Sequence, residues 1–250
     1  MSAPMSLDAV SARVLLYRNV RAFFSSQKIA EVETSLSSLH ISAFKSPIFQ
    51  IIKQCRDEAT DRRHHTEFSV LQWGQPDWML EQALLDLDEF LKAIFSGEFE
   101  PERRTFRQAF IQRLGFDPEK LSAADLRQES RRLGLNVALG EDRLAWLKLM
   151  FVYFIEPTLG IDIPLYLTDL PSQWRDMKYD GDAATESNVD IYIDGIKVGS
   201  VLSDTRNTVD QFLQNEERLN IVVGLDRLLM IILETRQIEK VISISERVVS

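Results

Sequence analysis

The sequence has few of the residues that form disulfides in small secreted domains or bind metal ions in metal-dependent domains. It has one cysteine, Cys55, and three histidines in 250 residues. A single cysteine excludes an intrachain disulfide and is typical of proteins from a reducing cytoplasm. One cysteine and three histidines argue against a structural zinc site, which commonly takes four such ligands. We expect Cys55 itself to be a buried side chain at the end of a strand.

Basic charge and long apolar runs are also scarce. The 29 Lys and Arg residues face 38 Asp and Glu residues, for a net charge of −9. Nucleic-acid binding rests on a cationic surface, so this balance argues against tRNA or DNA as the main partner. No apolar run approaches the roughly 20 residues that span a bilayer, and residues 1–10 lack the blocks of a signal peptide. We expect a cytoplasmic protein with a protein or small-molecule partner.

Apolar residues are plentiful enough for a large core. The chain is 45% hydrophobic and includes 14 Phe and 4 Trp. Strand patterns occur near both ends of the chain, whereas helical periodicity dominates residues 76–155. We therefore predict the α+β class, with one domain over residues 1–250. Its expected architecture is an antiparallel sheet flanked by helices, with a helical insertion at about 76–155.

Local patterns predict the separate elements. The dipeptide Asp194-Gly195 predicts a tight hairpin between strands at 189–193 and 196–203. Strands at 48–52 and 67–73 are expected to pair antiparallel across a long charged loop. Further strands are expected at 29–33, 165–168 and 220–223. Helices are expected at 7–27, 76–96, 105–114, 123–133, 142–155, 207–217 and 224–233.

Three collinear segments resemble the motifs of the lysyl-type class II aminoacyl-tRNA synthetases. Residues 23–34 resemble motif 1, the helix and strand at the dimer interface, with Ser35 in place of its proline. Residues 49–73 resemble motif 2, two strands and a loop that contains Arg56-Asp57-Glu58. Residues 223–228, Val-Gly-Leu-Asp-Arg-Leu, resemble motif 3.

Two more segments, 154–157 and 186–195, are similar to those members of the family that attach (R)-β-lysine to elongation factor P. The resemblance implies a shortened class II synthetase core that binds ATP and acts as an AMP-forming aminoacyl ligase. It also implies a protein acceptor such as elongation factor P, and we see no tRNA-binding domain. Because motif 1 supplies a helix to a two-fold interface, a homodimer is expected as well.

The resemblance places an ATP site in motifs 2 and 3. Arg56, a planar and permanently charged donor, would contact the α-phosphate and the substrate carboxylate. Glu58 would accept from the adenine amino group. Phe68 would stack on the ring, with Arg227 over its other face and near the γ-phosphate. Arg56 and Arg227 are thus the expected catalytic residues; the other expected ATP contacts are Asp57, His64, His65 and Gly224.

The residue types alone leave other interpretations open. A charged loop such as 56–66 is commonly just solvated. Phe68, in an alternating strand, is by default a core residue. Arg227 is alternatively a helix-surface residue paired with Asp226 or Glu234. Adjacent histidines on a strand or loop diverge, so His64 and His65 are not expected to bind a metal.

The sequence departs from the family where substrate and metal would bind. The span from 33 to 49 is too short for the family's Ser-Pro-Glu loop. Lys197 replaces a magnesium-binding Glu, so any Mg²⁺ site is expected to be weakened. Asp204 is the remaining candidate for a substrate-binding carboxylate. Gly74 replaces an aromatic residue, and Asn220 with the next residue replaces the glycine-rich approach to motif 3.

Two functions therefore remain open. One is a ligase with an altered amino-acid pocket. The other is a catalytically inactive paralogue that senses nucleotide or binds protein, as a homodimer or paired with a full-length relative. The synthetase interpretation depends on Arg56 and Arg227 converging on opposite sides of one cleft floored by the sheet.

Overall fold

The computed structural model describes residues 8–33, 46–55, 67–75, 77–171, 185–204 and 218–242. Within these residues, helices and strands are both abundant, which confirms the predicted α+β class. The α-helices are α1 Ala9–Ser26, α2 Leu80–Phe95, α3 Phe106–Leu114, α4 Ala123–Arg132, α5 Arg143–Met150, α6 Leu225–Ile232 and α7 Glu239–Ile242. A π-helical turn, Phe151–Ile155, continues α5.

The strands are β1 Ala30–Glu31, β2 Ile48–Cys55, β3 Glu67–Gly74, β4 Glu102–Thr105, β5 Leu165–Thr168, β6 Thr185–Ile193, β7 Ile196–Asp204 and β8 Arg218–Gly224. They form a sheet in the order β1-β2-β3-β8-β7-β6-β5-β4. The pairs β2–β3, β3–β8, β7–β8 and β5–β6 are antiparallel, as expected. The pairs β1–β2 and β4–β5 are parallel, so the sheet is mixed.

Strand β4, like the short helix α7, is an element that the sequence patterns did not predict. Its residues, Glu-Arg-Arg-Thr, carry no apolar alternation, and none of them is fully buried. An edge strand of this kind is defined by its backbone pairing with β5, which leaves little trace in hydrophobic periodicity. The hairpin at Asp194-Gly195, by contrast, is confirmed. Both residues have positive φ angles, 51° and 67°, as a type I′ turn requires.

The described residues group into two compact units. One contains residues 8–99, 185–186 and 198–242, and the other contains 100–171 and 187–197. Helix α2 therefore groups with the first unit, whereas α3, α4 and α5 group with the second. The core of the second unit is aromatic and aliphatic, with Phe106, Phe110, Trp146, Phe151 and Tyr192 among its members. A single domain with an insertion at 76–155 stays a prediction.

The core of the first unit lies between the sheet and helices α1 and α2. Phe24 of α1 stacks on Phe49 of β2 with the ring centroids 4.2 Å apart, and it contacts Trp73 of β3 edge-on. Phe90 of α2 completes the cluster against Trp73. The indole Nε1 of Trp73 donates to Asp86 of α2 at 2.7 Å. These contacts fix which face of β2 and β3 is covered by helices.

Cys55 was expected to be buried, and this prediction is wrong. The thiol-bearing side chain is exposed at the last residue of β2. Its position is beyond the aromatic cluster, so the strand end is not covered by α1 or α2.

Candidate functional site

The strands β2, β3, β8 and β7 carry a second face, opposite the aromatic cluster, that we call the site face. Successive side chains of a strand point to opposite sides, so this face contains the residues that alternate with Phe49 and Trp73. Cross-strand register then identifies its members. Its members with described side chains include Gln50, Ile52, Gln54, Phe68, Val70, Gln72, Ser200, Leu202, Asn220, Val222 and Gly224.

Phe68 lies near the start of β3 on the site face and is half-buried. Its ring packs against an apolar cluster of Val70, Leu202 and Val222, which Ile52 extends. A ring held on one side by such a cluster has a defined orientation. Phe68 is therefore both a packing residue and a candidate platform for a planar ligand.

Gly224 and Arg227 lie beside Phe68 on the same face. Gly224 ends β8 opposite Val70, two residues from Phe68 along β3, and it precedes the first turn of α6. A Cβ at Gly224 would lie 3.7 Å from the Arg227 Cδ and 3.6 Å from the Val198 carbonyl oxygen. These are ordinary contacts, so the aliphatic part of Arg227 lies over the site face. Three of the predicted site residues are thus brought together.

Asp226 was not singled out from the sequence as a site residue. It is buried, and one of its carboxylate oxygens accepts from the Arg13 guanidinium at 2.6 Å. The other accepts from the Ser69 backbone N–H, also at 2.6 Å. Both carboxylate oxygens of Asp226 thus bind Arg13 and Ser69. They point away from the surface ion pair between Asp226 and Arg227, which the sequence left open as an alternative. The sequence signal was a carboxylate on the buried stripe of an otherwise apolar helix.

Arg13 connects this hydrogen-bond network to α7, the last described helix. Its Nη2 donates to Asp226 and also to the Val241 carbonyl of α7 at 2.9 Å. The first turn of α6, which carries Arg227, is therefore tied to α1, α7 and the start of β3. This arrangement holds Arg227 at a fixed position relative to Phe68.

The remaining predicted ATP contacts lie outside the described residues. They are Arg56, Asp57, Glu58, His64 and His65, and Ser35 of the motif 1 segment lies outside as well. Asp204 is the last residue of β7 and pairs in register with Arg218. The convergence of Arg56 with Arg227 thus stays a prediction.

An ion pair joins β2 and β3 near the ends of these strands that flank residues 56–66. The Lys53 ammonium is 2.6 Å from the Glu67 carboxylate, and this hydrogen bond raises the pKa of Lys53.

Lys197 forms a buried ion pair rather than an uncompensated charge. Its Nζ is 2.6 Å from the Asp190 carboxylate, and the two side chains are 11% and 2% exposed. We expected this lysine to repel a divalent ion, but Asp190 neutralises much of its charge. Among the described residues, no three His, Cys, Asp or Glu side chains cluster to hold a metal ion.

The site face also carries a row of neutral polar side chains. Gln50 pairs in register with Gln72, Gln72 with Val222, and Val222 with Ser200. The Gln50 Nε2 donates to the Gln72 Oε1 at 2.9 Å. Asn220 lies on the same face of β8, two residues before Val222. All four polar residues of this group are buried. Sequence reasoning missed Gln50 and Gln72, although polar residues that alternate within an apolar strand were the available signal.

A groove of about 880 Å³ runs along α1 and reaches Phe68. It is lined by Arg13, Val14, Tyr17, Arg18, Arg21, Lys53, Glu67, Phe68, Ser69, Asp226 and Ile242. Apolar side chains of α1 stand exposed here and next to it: Val14 is 65% and Val10 49% exposed. The groove borders α1, whose last residues, 23–26, belong to the segment that resembles motif 1.

None of the described helices is both long and apolar enough to cross a bilayer.

No protein-family profile matches the chain. Curated proteins, however, match over most of it. The chain is 25% identical to elongation factor P–(R)-β-lysine ligase from Pectobacterium atrosepticum, over 82% of this chain and 73% of that protein.

The same enzyme from Photobacterium profundum is 24% identical, and that from Vibrio vulnificus 26% identical. Each of these matches covers 85% of this chain and 78% of the relative. The resemblance that motifs 1, 2 and 3 indicated is therefore confirmed. The chain is a divergent protein that resembles the elongation factor P–(R)-β-lysine ligases along most of its sequence.

Proposed function

We propose that this chain is an ATP-dependent, AMP-forming ligase with an altered acyl pocket, built on a class II synthetase-like fold. The observation that carries the proposal is the placement of Phe68, Gly224 and Arg227 on one face of antiparallel strands. The names of the relatives add that proteins similar to this chain are ligases.

In this proposal the nucleotide base lies between Phe68 and the Arg227 guanidinium. Aromatic stacking and a cation over the ring favour a planar purine at that position. Gly224 has no side chain, so the base can approach the end of β8 closely. The Asp226 network keeps Arg227 in place without a cost of reorganisation when ATP binds.

Adenylate formation requires a substrate carboxylate oxygen to bond to the α-phosphorus while the bond to the β-phosphate oxygen breaks and pyrophosphate leaves. An acceptor amine then bonds to the acyl carbon, and AMP leaves. Such reactions depend on positioning and on charge stabilisation. Arg56, which follows β2 directly, supplies the charge at the α-phosphate in this proposal, and Arg227 supplies it at the γ-phosphate.

The proposed acceptor is a protein amine, as on elongation factor P, which the relatives' names include. We also propose a homodimer through α1, because apolar Val10 and Val14 stand exposed beside the α1 groove. The single cysteine favours a reducing cytoplasm as the place of action.

A second candidate function is a nucleotide-binding subunit without ligase activity. The Lys197–Asp190 ion pair favours it, because Lys197 stands where the family places a carboxylate for magnesium. A protein of this kind would bind ATP through Phe68 and Arg227 and form no adenylate. The same experiment separates the two candidates.

The test is ATP binding by calorimetry together with amino-acid-dependent pyrophosphate exchange. We expect Arg227→Ala and Arg56→Ala to weaken ATP binding by about tenfold to a hundredfold, since each removes a charge-assisted contact. Arg131→Ala is the matched control, because Arg131 is an exposed residue of α4 in the other unit. Exchange that both site variants lose supports the ligase, and ATP binding without exchange supports the subunit. Absence of ATP binding contradicts both.

A further inference from the structure

The side of α1 that lines the groove changes from apolar to cationic along the helix. Four residues of this helix line the groove: Val14, Tyr17, Arg18 and Arg21. The last three follow the first by three, four and seven positions, so all four share one side of α1. Val14 is 65% exposed, and Arg18 is exposed as well. The groove therefore suits a segment that offers an apolar side chain to Val14 and a carboxylate to Arg18.

Helix α7 brings the chain to the rim of this groove. Its last residue, Ile242, is one of the lining side chains. The Val241 carbonyl oxygen accepts from the Arg13 Nη2 at 2.9 Å, which holds α7 against α1. The Arg13 Nε is buried, and within the described residues no acceptor reaches it. Buried donors are nearly always partnered, and the backbone of residues 243–250, which directly follows Ile242, can supply that acceptor.

The sequence of residues 243–250 matches the groove in polarity and in length. It reads Ser-Ile-Ser-Glu-Arg-Val-Val-Ser. In an extended segment alternate side chains share one side, which groups Ile244, Glu246 and Val248. That side offers an apolar, an acidic and an apolar side chain in turn. Six extended residues reach about 20 Å, whereas seven positions of α1 span about 10 Å, so the segment is long enough to follow the lining of α1.

Residues 56–66 also adjoin the groove and also lie outside the described residues. They end directly before Glu67, which lines the groove. Ala59 is the only apolar residue among them. A segment of this composition can place a carboxylate beside Arg18, but it has little apolar surface to cover Val14. Residues 243–250 supply both groups, so they are the favoured occupant.

We propose that residues 243–250 dock along the α1 groove, with Ile244 and Val248 against its apolar lining and the Glu246 carboxylate beside Arg18. The docked segment becomes part of the α1 surface that the proposed homodimer would use, so the two proposals are compatible.

Docking would also affect the ion pair that fixes the first turn of α6. Arg13 and Asp226 both line the groove, and the Arg13 side chain is 20% exposed. A segment in the groove would exclude water from this pair and so strengthen its contacts. This consequence for Arg227 rests on the proposed function, whereas the docking itself does not.

The experiment measures how fast a thiol at position 14 reacts with a maleimide in the full 250-residue chain, without nucleotide. The chain carries Cys55→Ser, because Cys55 is exposed and would react as well. Val14→Cys reports on the groove, and Val152→Cys, at a position 48% exposed in the other unit, is the matched control. We expect Ile244→Asp to speed the reaction at position 14 about tenfold and Glu246→Arg about threefold, with position 152 unchanged.

A charge exchange tests the proposed ion pair directly. Arg18→Glu should speed the reaction at position 14 as Glu246→Arg does, and the two substitutions together should restore the slow reaction. Melting temperatures of all variants are measured alongside, so that undocking is distinguished from unfolding.

Three results would overturn the proposal. One is a reaction at position 14 that neither Ile244→Asp nor Glu246→Arg speeds. Another is protection that grows with protein concentration, since a second copy would then cover Val14. The third is protection that Asp61→Asn removes, since residues 56–66 would then be the occupant. Because no nucleotide is present, each of these results leaves the proposed ligase function intact, and absence of ATP binding leaves this inference intact.

Discussion

At the scale of single residues, the position of Arg227 depends on its neighbour Asp226. Asp226 receives Arg13 on one oxygen and the Ser69 amide on the other, and each distance is 2.6 Å. Ser69 lies next to Phe68, so one carboxylate links the two residues proposed to enclose a base. Asp226 is a positioning residue, since it acts through Arg227 and Phe68 rather than on a ligand.

Replacing Asp226 with alanine should therefore affect both stability and nucleotide binding. The change leaves Arg13 without its carboxylate and the Ser69 N–H without an acceptor. We expect a loss of about 3–5 kcal/mol in the free energy of unfolding, as for other broken buried pairs. Urea denaturation measures this loss, and calorimetry should show weaker ATP binding at temperatures where the variant is still folded.

The control for this substitution is Glu31→Gln, which removes the exposed ion pair between Arg21 and Glu31. Those side chains are 51% and 39% exposed, so the expected loss is below about 1 kcal/mol. Equal effects of the two substitutions would contradict the assignment of Asp226 as the anchor of α6.

At the scale of elements, two glycines distinguish close strand packing from room for a ligand. Gly199 on β7 has no space for a side chain, because a Cβ would clash with the Val222 carbonyl oxygen and lie 3.2 Å from the Val223 Cα. Gly224, at the junction of β8 and α6, has an ordinary φ of −75° and only ordinary contacts around a Cβ. The fold requires a glycine at the first position and not at the second.

Alanine at these two positions should therefore give opposite results. Gly199→Ala should destabilise the fold by about 1–3 kcal/mol through overpacking. Gly224→Ala should stay within about 1 kcal/mol of the parent protein and yet weaken ATP binding, since the methyl group occupies the space proposed for the base. Thermal denaturation and ATP calorimetry on both variants check this. Unchanged ATP affinity in Gly224→Ala would show that the base lies elsewhere.

Prediction of elements from sequence succeeded where the signal is local. The Asp194-Gly195 turn, the pairing of β2 with β3 and the strand before Gly224 depend on patterns of a few residues, and all are present in the structure. Strand β4 was missed because its polar residues have no periodicity. The expected helix at 207–217 lies outside the described residues and stays a prediction.

At the scale of the whole molecule, the stability of the layer of helices on the sheet should depend on pH through Asp86. Burial raises the pKa of Asp86, while the hydrogen bond from Trp73 acts in the opposite direction. Because the folded-state pKa lies above the unfolded one, the favourable contribution is complete below the unfolded pKa of about 3.9 and is lost as the pH rises through the folded-state value.

Asp86→Asn should therefore stabilise the protein at pH 7, because it removes the buried charge and keeps an oxygen for Trp73. We expect a rise of about 1–3 °C in melting temperature at pH 7, shrinking toward zero below about pH 4. Glu100→Gln, at an exposed position, is the control and should show no such trend. A gain that persists unchanged at pH 3 would indicate a packing effect instead of a titrating carboxylate.

By itself the sequence determined the α+β class, the hairpin at Asp194-Gly195 and the resemblance to lysyl-type ligases, because these depend on local periodicity and on collinear motifs. Only the tertiary structure decided that Phe68 and Arg227 share a face, that Asp226 binds Arg13 and Ser69, and that Asp190 neutralises Lys197. It also gathered Gln50, Gln72 and Asn220 into one row. These relations join strands and helices that are distant in the chain, and they follow from cross-strand register and burial, which no single segment encodes.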